Sequence, residues 1–204
     1  MVENKTLLMI NRITALLIFI ITISSNNLVF SQNTNTDSTF VDTINPVVYI
    51  TQDSLDFLVQ QRDSLVDELL HYADTFLGVP YRWAGRSRAG FDCSGYVSTI
   101  FAHIGVTLST SATYMEGSGR QVPDSIIRVG DIIYFQGTQR NHVGASHVAI
   151  AYEILQSDVI FIHVAVNGGV RYDRLSSSYY TRYYYKTERL EIFDVENRYK
   201  VRSQ

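Results

Sequence analysis

Only one of the 204 residues is cysteine, Cys93, and only three are proline. A single thiol excludes an internal disulfide and a cysteine-rich zinc module. No excess of basic charge exists either. Lys and Arg number 17 against 20 Asp and Glu, for a net charge of −3, so nothing favours a polyphosphate partner such as nucleic acid. Charged residues are scarce at 18% and apolar ones reach 46%, which excludes wholesale disorder. Twelve glycines and three prolines exclude a collagen-like or proline-rich composition. The densest apolar stretch, Ile13–Ile23, is too short to span a bilayer, which takes ~20 residues. No internal repeat is visible. What remains is the length of one ordinary domain with room for a real core.

The apolar stretch has a different use. Lys5 and Arg12 flank a run from Leu7 to Ile23, and polar or small residues follow it. A basic start, a short apolar segment and a small-residue cut site make a secretory signal peptide. Val29-Phe30-Ser31 supplies small side chains at the last and third-last positions, so residues 1–31 read as the signal peptide. The competing reading is an uncleaved anchor helix over Leu7–Ile23, interrupted by Asn11 and Arg12. No cysteine adjoins the run, so lipid attachment there is not expected. The exported form would be slightly more acidic, with no membrane span. A lone thiol outside the cytoplasm is exposed to oxidants, so it is either buried and inert or kept for its chemistry.

Residues 32–50 begin polar and aperiodic (QNTNTDSTFVDTIN to Asn45) and read as a flexible linker. From Asp53, apolar residues recur every three or four positions through Leu77, predicting a long amphipathic helix, or two with a break near Arg62. Gly78 and Pro80 stop it. Tyr81–Phe91 reads as a loop. Tyr96, Val97, Ile100, Phe101 and Ile104 then share the face of a second helix that Gly105 ends. Beyond it, Asp131–Phe135, His147–Tyr152, Asp158–Val164 and Arg189–Phe193 read as strands, while the Tyr-rich Tyr179–Tyr185 is undecided between helix and strand. Helices first and strands afterwards predict an α+β fold with an antiparallel sheet. The globular domain is expected over 51–192, with 193–204 as a tail.

Cys93 falls at the start of the second helix, where unpaired N–H groups and the helix dipole favour a thiolate. An inert core cysteine is the equally weighted alternative at this point. Of the five histidines, His71 reads as solvated, His103 as a structural cation in the last turn of the Cys93 helix, and His142 as part of a polar loop. His147 and His163 lie on consecutive strands. A hairpin centred on Leu155 would oppose Ala151 to Val159 and His147 to His163, with Cβ atoms ~4.5–5.5 Å apart, and a slip of one residue would separate the rings. Two imidazoles so placed form a relay, one the base and one orienting it. A metal site is the competing use of one Cys and two His, but no metal-ligand spacing such as CxxC or HxxxH is present.

At these residues the sequence resembles the NlpC/P60 family of cell-wall cysteine peptidases. The matching pieces are LGVPYRWAG (77–85), GFDCSGYV (90–97), GDIIYF (130–135), SHVAI (146–150) and FIHVA (161–165) with Gly169-Val170. The resemblance implies a papain-like fold with helices packed on a central antiparallel sheet. It also implies Cys93 as nucleophile, His147 as base and His163 as the residue that orients His147. Tyr81 would position or stabilise the reacting carbonyl, and Asp92 and Ser94 would bind substrate. From the residues alone, Asp92 reads equally as a helix cap, Ser94 as a partner for backbone donors and Tyr81 as core. No metal or organic cofactor is implied. The implied activity is hydrolysis, through a thioester, of an amide bond in peptidoglycan stem peptides, with the bond from D-glutamate to the diamino acid as first choice. A non-catalytic wall-peptide-binding module and an amidase or acyltransferase on the same fold are the alternatives. The expected protein is exported, to periplasm, envelope or medium, and monomeric. Two positions depart from the family pattern. Ala84-Gly85 replaces a Gly-Gly pair, and Leu108–Ala112 with Met115 replaces a segment bordering the substrate groove.

Overall fold

A computed structural model describes residues 48–137 and 144–201, all within the unit Pro46–Gln204. The segments read as signal peptide and most of the linker, together with His142, lie outside the described residues. Val48–Ile50 (β1) precedes one unbroken helix, Gln52–Asp74 (α1), so the two-helix option near Arg62 is not realised. Thr51 caps α1 by accepting the Ser54 N–H at 3.2 Å. After α1 the chain turns through Gly78, at φ +79°, whose N–H donates to the Val170 carbonyl at 2.9 Å. A small hairpin, Arg86–Ser87 (β2) and Gly90–Phe91 (β3), leads into the second helix, Cys93–His103 (α2). Short helix Ala112–Met115 (α3) follows.

The remaining strands are Arg120–Val122 (β4), Ile132–Phe135 (β5), His147–Ile154 (β6), Val159–Ala165 (β7), Gly169–Arg174 (β8) and, after helix Ser178–Tyr183 (α4), Tyr184–Arg189 (β9). They form one antiparallel sheet in the order β4-β9-β5-β6-β7-β8. Alternation divides its side chains. Ile132, Tyr134, Val148, Ile150, Ile162 and Val164 pack with Leu69, Tyr96, Val97, Ile100 and Phe101 of the two long helices. Ile133, Phe135, Ala149, Ala151 and Phe161 pack on the other face with Tyr180 of α4. Both faces are therefore covered, and the fold is the expected α+β architecture of helices on an antiparallel sheet. Tyr96 ties the helices together, its hydroxyl donating to the Ala73 carbonyl at 3.1 Å.

Two expectations are corrected and one open reading is resolved. Arg189–Phe193 is not a strand: β9 ends at Arg189, and Glu191–Phe193 is a 3-10 turn. The Tyr-rich stretch is both helix and strand, α4 running into β9. Its strand half escaped a hydrophobicity reading because Thr187, Glu188 and Arg189 are the buried residues, and Arg189 is held by Asp131 at 2.8 Å. Finally, 48–50 is not linker and 193–201 is not a loose tail. Phe193 and Val195 are buried, and Tyr199–Val201 (β10), after helix Val195–Arg198 (α5), pairs in parallel with β1.

Candidate active site

The loop before α2 is built to lie directly on the first turn of that helix. Arg82 N–H donates to the Phe91 carbonyl at 2.9 Å, and Asp92 N–H donates to the Gly85 carbonyl at 3.1 Å. Gly95, on the first turn, faces the same carbonyl: a Cβ there would stand 2.2 Å from the Gly85 oxygen. A side chain at Gly95 would thus wedge the loop away, and with it Tyr81 and Trp83. Ala84, at the first position of the departing Ala-Gly pair, is the one non-glycine residue with positive φ, +55°, among the described residues. The position asks for glycine and carries a Cβ instead.

Asp92 is the N-cap of α2 and accepts the Gly95 N–H at 2.6 Å. Ser94 is buried, and its hydroxyl donates to the Thr110 carbonyl at 2.8 Å, tying the helix start to the segment that borders the cleft. The capping role weighed for Asp92 is thus occupied, while Ser94 serves a backbone acceptor and not the backbone donors weighed for it; both also line the cleft. Met115, at the second departure from the family pattern, turns into the core and is fully buried, leaving Thr110–Thr113 on the cleft wall.

Cys93 is half-buried in the floor of a cleft of about 1120 Å³ that His147, His163 and Tyr81 also line. Its helix lies on one sheet face and the histidines on the other. They meet at the start of β6, where the Val148 N–H, next to His147, points at the sulfur. The N–H groups of Ser94 and Cys93 itself face the sulfur as well. These donors favour a thiolate, but burial opposes them and wins. It pushes the thiol up to about 11, with the Asp92 carboxylate adding in the same direction. The sequence-based expectation of a lowered thiol is corrected on this point. Tyr81 is raised too, by burial first and then by the neighbouring Cys93 and Asp92.

His147 Nε2 and His163 Nδ1 stand 2.9 Å apart, with the rings nearly perpendicular. The expected hairpin register is off by two. The turn pairs Ile154 with Val159, three residues off, and the single extra residue Tyr152 takes one back, so Ala151 faces Phe161, not Val159. A two-residue slip preserves the face, so the rings meet along a diagonal and not across a direct pair. Burial pushes the His147 imidazole down to about 3, with His163 adding and Asp173 opposing. Burial lowers His163 as well, against the pull of Asp173. Burial thus works against charge on the sulfur and on both rings, while Asp173 favours the charged form of each imidazole.

Sequence reasoning missed three residues here. Asp173 Oδ2 lies 2.8 Å from His163 Nε2, Tyr180 donates its hydroxyl to the same oxygen at 2.8 Å, and Arg171 donates its Nε at 2.9 Å. All three stand on elements the sequence left unread or undecided, β8 and α4. The findable signal was parity: His163, Arg171 and Asp173 share one face of an antiparallel pair. His103, by contrast, stacks on Tyr72 at 3.8 Å, and His71 is exposed, both away from the cleft. Among the described residues no group of three or more His, Cys, Asp or Glu is arranged to hold a metal ion, and no helix is long and apolar enough to cross a membrane.

A cysteine opening a helix, packed against a sheet that presents a histidine pair, defines the papain-like arrangement. Comparison with known proteins specifies it further: the NlpC/P60 family profile matches residues 78–189, and the chain belongs to that family. The chain is 28% identical over 169 residues to the murein DD-endopeptidase MepS/murein LD-carboxypeptidase of Escherichia coli, covering 82% of this chain and 84% of that one. It is 38% identical over 73 residues to the gamma-D-glutamyl-L-lysine dipeptidyl-peptidase of Bacillus cereus, which covers 36% of this chain and only 22% of the relative. A crystal structure of an NlpC/P60 family protein from Bacillus cereus superposes with a TM-score of 0.54 at 31% identity, over 61% of this chain and 39% of that one.

Proposed function

We propose that this protein is an exported cysteine endopeptidase that hydrolyses an amide bond in the stem peptides of peptidoglycan. The observation that carries the reading is that Cys93 and the His147–His163 pair, whose facing ring nitrogens stand 2.9 Å from each other, line one cleft. The relatives named as murein endopeptidase and glutamyl-lysine peptidase support the substrate class. Export rests on the N-terminal pattern of residues 1–31, and the polymer lies outside the cytoplasmic membrane.

In this mechanism Cys93 is the nucleophile and uncharged His147 the base. His147 takes the thiol proton as sulfur bonds to the carbonyl carbon and the carbonyl electron pair moves onto oxygen. The Cys93 N–H and the Tyr81 hydroxyl are the candidate donors to that oxyanion; losing one such donor costs ~2.7–4 kcal/mol. The tetrahedral centre collapses, the C–N bond breaks, and the amine leaves with the proton from His147. Water, deprotonated by His147, then attacks the thioester and restores the thiol. Asp92 and Ser94 border the groove and shape it through the helix start. Exposed Trp83, Val166 and Tyr179 line its rim and offer apolar contact to a bound chain.

The first-choice bond is D-glutamate to the diamino acid. Cleavage of a DD bond in the same stem peptides is the second reading, favoured by the greater length of the match to the Escherichia coli murein DD-endopeptidase. Digestion of purified muropeptides, read by mass spectrometry, distinguishes them. Cys93→Ala is expected to abolish the products, and full cleavage by that variant would remove Cys93 from the mechanism.

A further inference from the structure

We propose that Asp173 is a positioning residue of this site: through His163 it fixes the tautomers of both histidines, so that His147 keeps a free lone pair on Nδ1. The inference rests on the reading of His147 as base, and it adds a residue that the family resemblance does not supply.

Asp173 Oδ2 is 2.8 Å from His163 Nε2. An ionised carboxylate only accepts, so His163 carries its proton on Nε2. A neutral imidazole has one N–H, so His163 Nδ1 is left as an acceptor. That nitrogen lies 2.9 Å from His147 Nε2, which must therefore be the donor. The lone pair of His147 is then on Nδ1, the ring nitrogen that His163 does not engage. One carboxylate thus decides the protonation pattern of two rings. The opposite pattern would set a bare Nε2 against a bare carboxylate oxygen at 2.8 Å and leave His147 with an N–H on Nδ1, where no proton could be taken up.

The surroundings keep Asp173 in the required state. Burial alone would raise its carboxyl, but hydrogen bonds from His163, Tyr180 and Arg171 hold it below the ordinary carboxylate range. Tyr180 comes from α4 at 2.8 Å, and Arg171 from the same strand, with Nε at 2.9 Å. Arg171 is itself anchored to the Asn167 carbonyl at 3.1 Å. The strand register brings His163 and Asp173 together. His163 faces Arg171 and Phe161 faces Asp173, so His163 and Asp173 are diagonal neighbours on one sheet face. When His147 takes a proton, the resulting charge sits at one end of a hydrogen-bonded line whose other end is anionic. Arg171 partly offsets that anion.

The test compares Asp173→Ala and Asp173→Asn in the full chain, using muropeptide turnover and nitrogen-15 NMR of the imidazoles. In the wild type, both His147 and His163 are expected to show the proton on Nε2. Asp173→Ala is expected to mix the His163 tautomers and to lower kcat about ten- to a hundred-fold with KM unchanged. Asp173→Asn, whose amide oxygen can still accept, is expected to recover part of the loss. A purely structural role would lower thermal stability and recover nothing with the amide. Wild-type kcat in Asp173→Ala, or a proton on His147 Nδ1 in the wild type, overturns the proposal. The NMR measurement needs no substrate, so it decides this point even if muropeptides prove not to be cleaved, a result that would overturn only the proposed function.

Discussion

Substituting Gly95 by alanine probes how the helix start and the Tyr81 loop are locked together. The new methyl would stand 2.2 Å from the Gly85 carbonyl oxygen and 3.0 Å from Asp92 Oδ1. Carbon and oxygen come no closer than ~3.3 Å without cost, so loop and helix must separate by about 1 Å. Overpacking of this kind costs ~1–3 kcal/mol. The hydrogen bond from Asp92 N–H to Gly85 carbonyl is stretched at the same time, at ~0.5–1.5 kcal/mol. Replacing glycine by alanine within a helix returns up to ~1 kcal/mol. The net expectation is a destabilisation of ~1–3 kcal/mol, or roughly 3–10 °C in Tm for a domain of this size. The activity effect should be larger, because a ~1 Å displacement of Tyr81 from Cys93 can reduce turnover ~100-fold. Thermal melts and muropeptide turnover measure the two effects separately. A variant with the Tm and kcat of the wild type would refute the account of how the site is held.

The remaining predictions concern the same helix start and its loop. Ala84→Gly removes a Cβ from φ +55°; relief of ~1–2 kcal/mol outweighs the ~0.5–1 kcal/mol gained by a freer unfolded chain, so Tm should rise slightly, and a fall would refute the strain. The Cys93 thiol is raised by burial, so folded protein should show no thiolate at pH 7 and should gain it only above the free-thiol value of ~8.5. Far-ultraviolet thiolate absorbance, measured against Cys93→Ala across pH, checks this; a thiolate already present at pH 6 would reverse the sign of the argument.

Much of the fold was legible because its signals are periodic. The two long helices and strands β5, β6 and β7 carry uninterrupted apolar patterns bounded by Gly78, Pro80 and Gly105. The elements that escaped carry charged or polar residues where an apolar stripe would otherwise mark a strand. β9 buries Thr187, Glu188 and Arg189, and β8 turns Asp173 and Arg171 toward His163, so neither strand shows an apolar stripe. The burial of Arg189 depends on an ion pair with Asp131, distant in sequence, and local pattern carries no trace of such a pair. The histidine pairing was legible in face but not in register. The turn shifts the pairing by three residues and the one-residue bulge at Tyr152 takes one back, so the net shift at the histidines is two, and only an odd shift changes the face of a side chain.

The thiol shows where a sequence argument gets the magnitudes wrong even when each effect is correctly named. A helix start does supply N–H donors to Cys93, and Val148 adds another from the sheet. The dipole of an exposed helix start contributes ~0.3–1 kcal/mol. Withdrawing a charged sulfur from water can shift a buried group by up to ~3–5 pH units, several times more energy. Packing of α2 against the sheet creates that burial, and no reading of residues 90–97 alone could weigh it. The same burial lowers His147, with His163 adding and Asp173 opposing. In the proposed mechanism, charge that develops as a carbonyl is attacked would be met at both ends: by amide N–H and Tyr81 hydroxyl at the oxygen, and by the line through His163 to Asp173 at the imidazole. In that mechanism turnover depends on how well His147 accepts a proton. The orientation of His147 therefore matters as much as the reactivity of the sulfur.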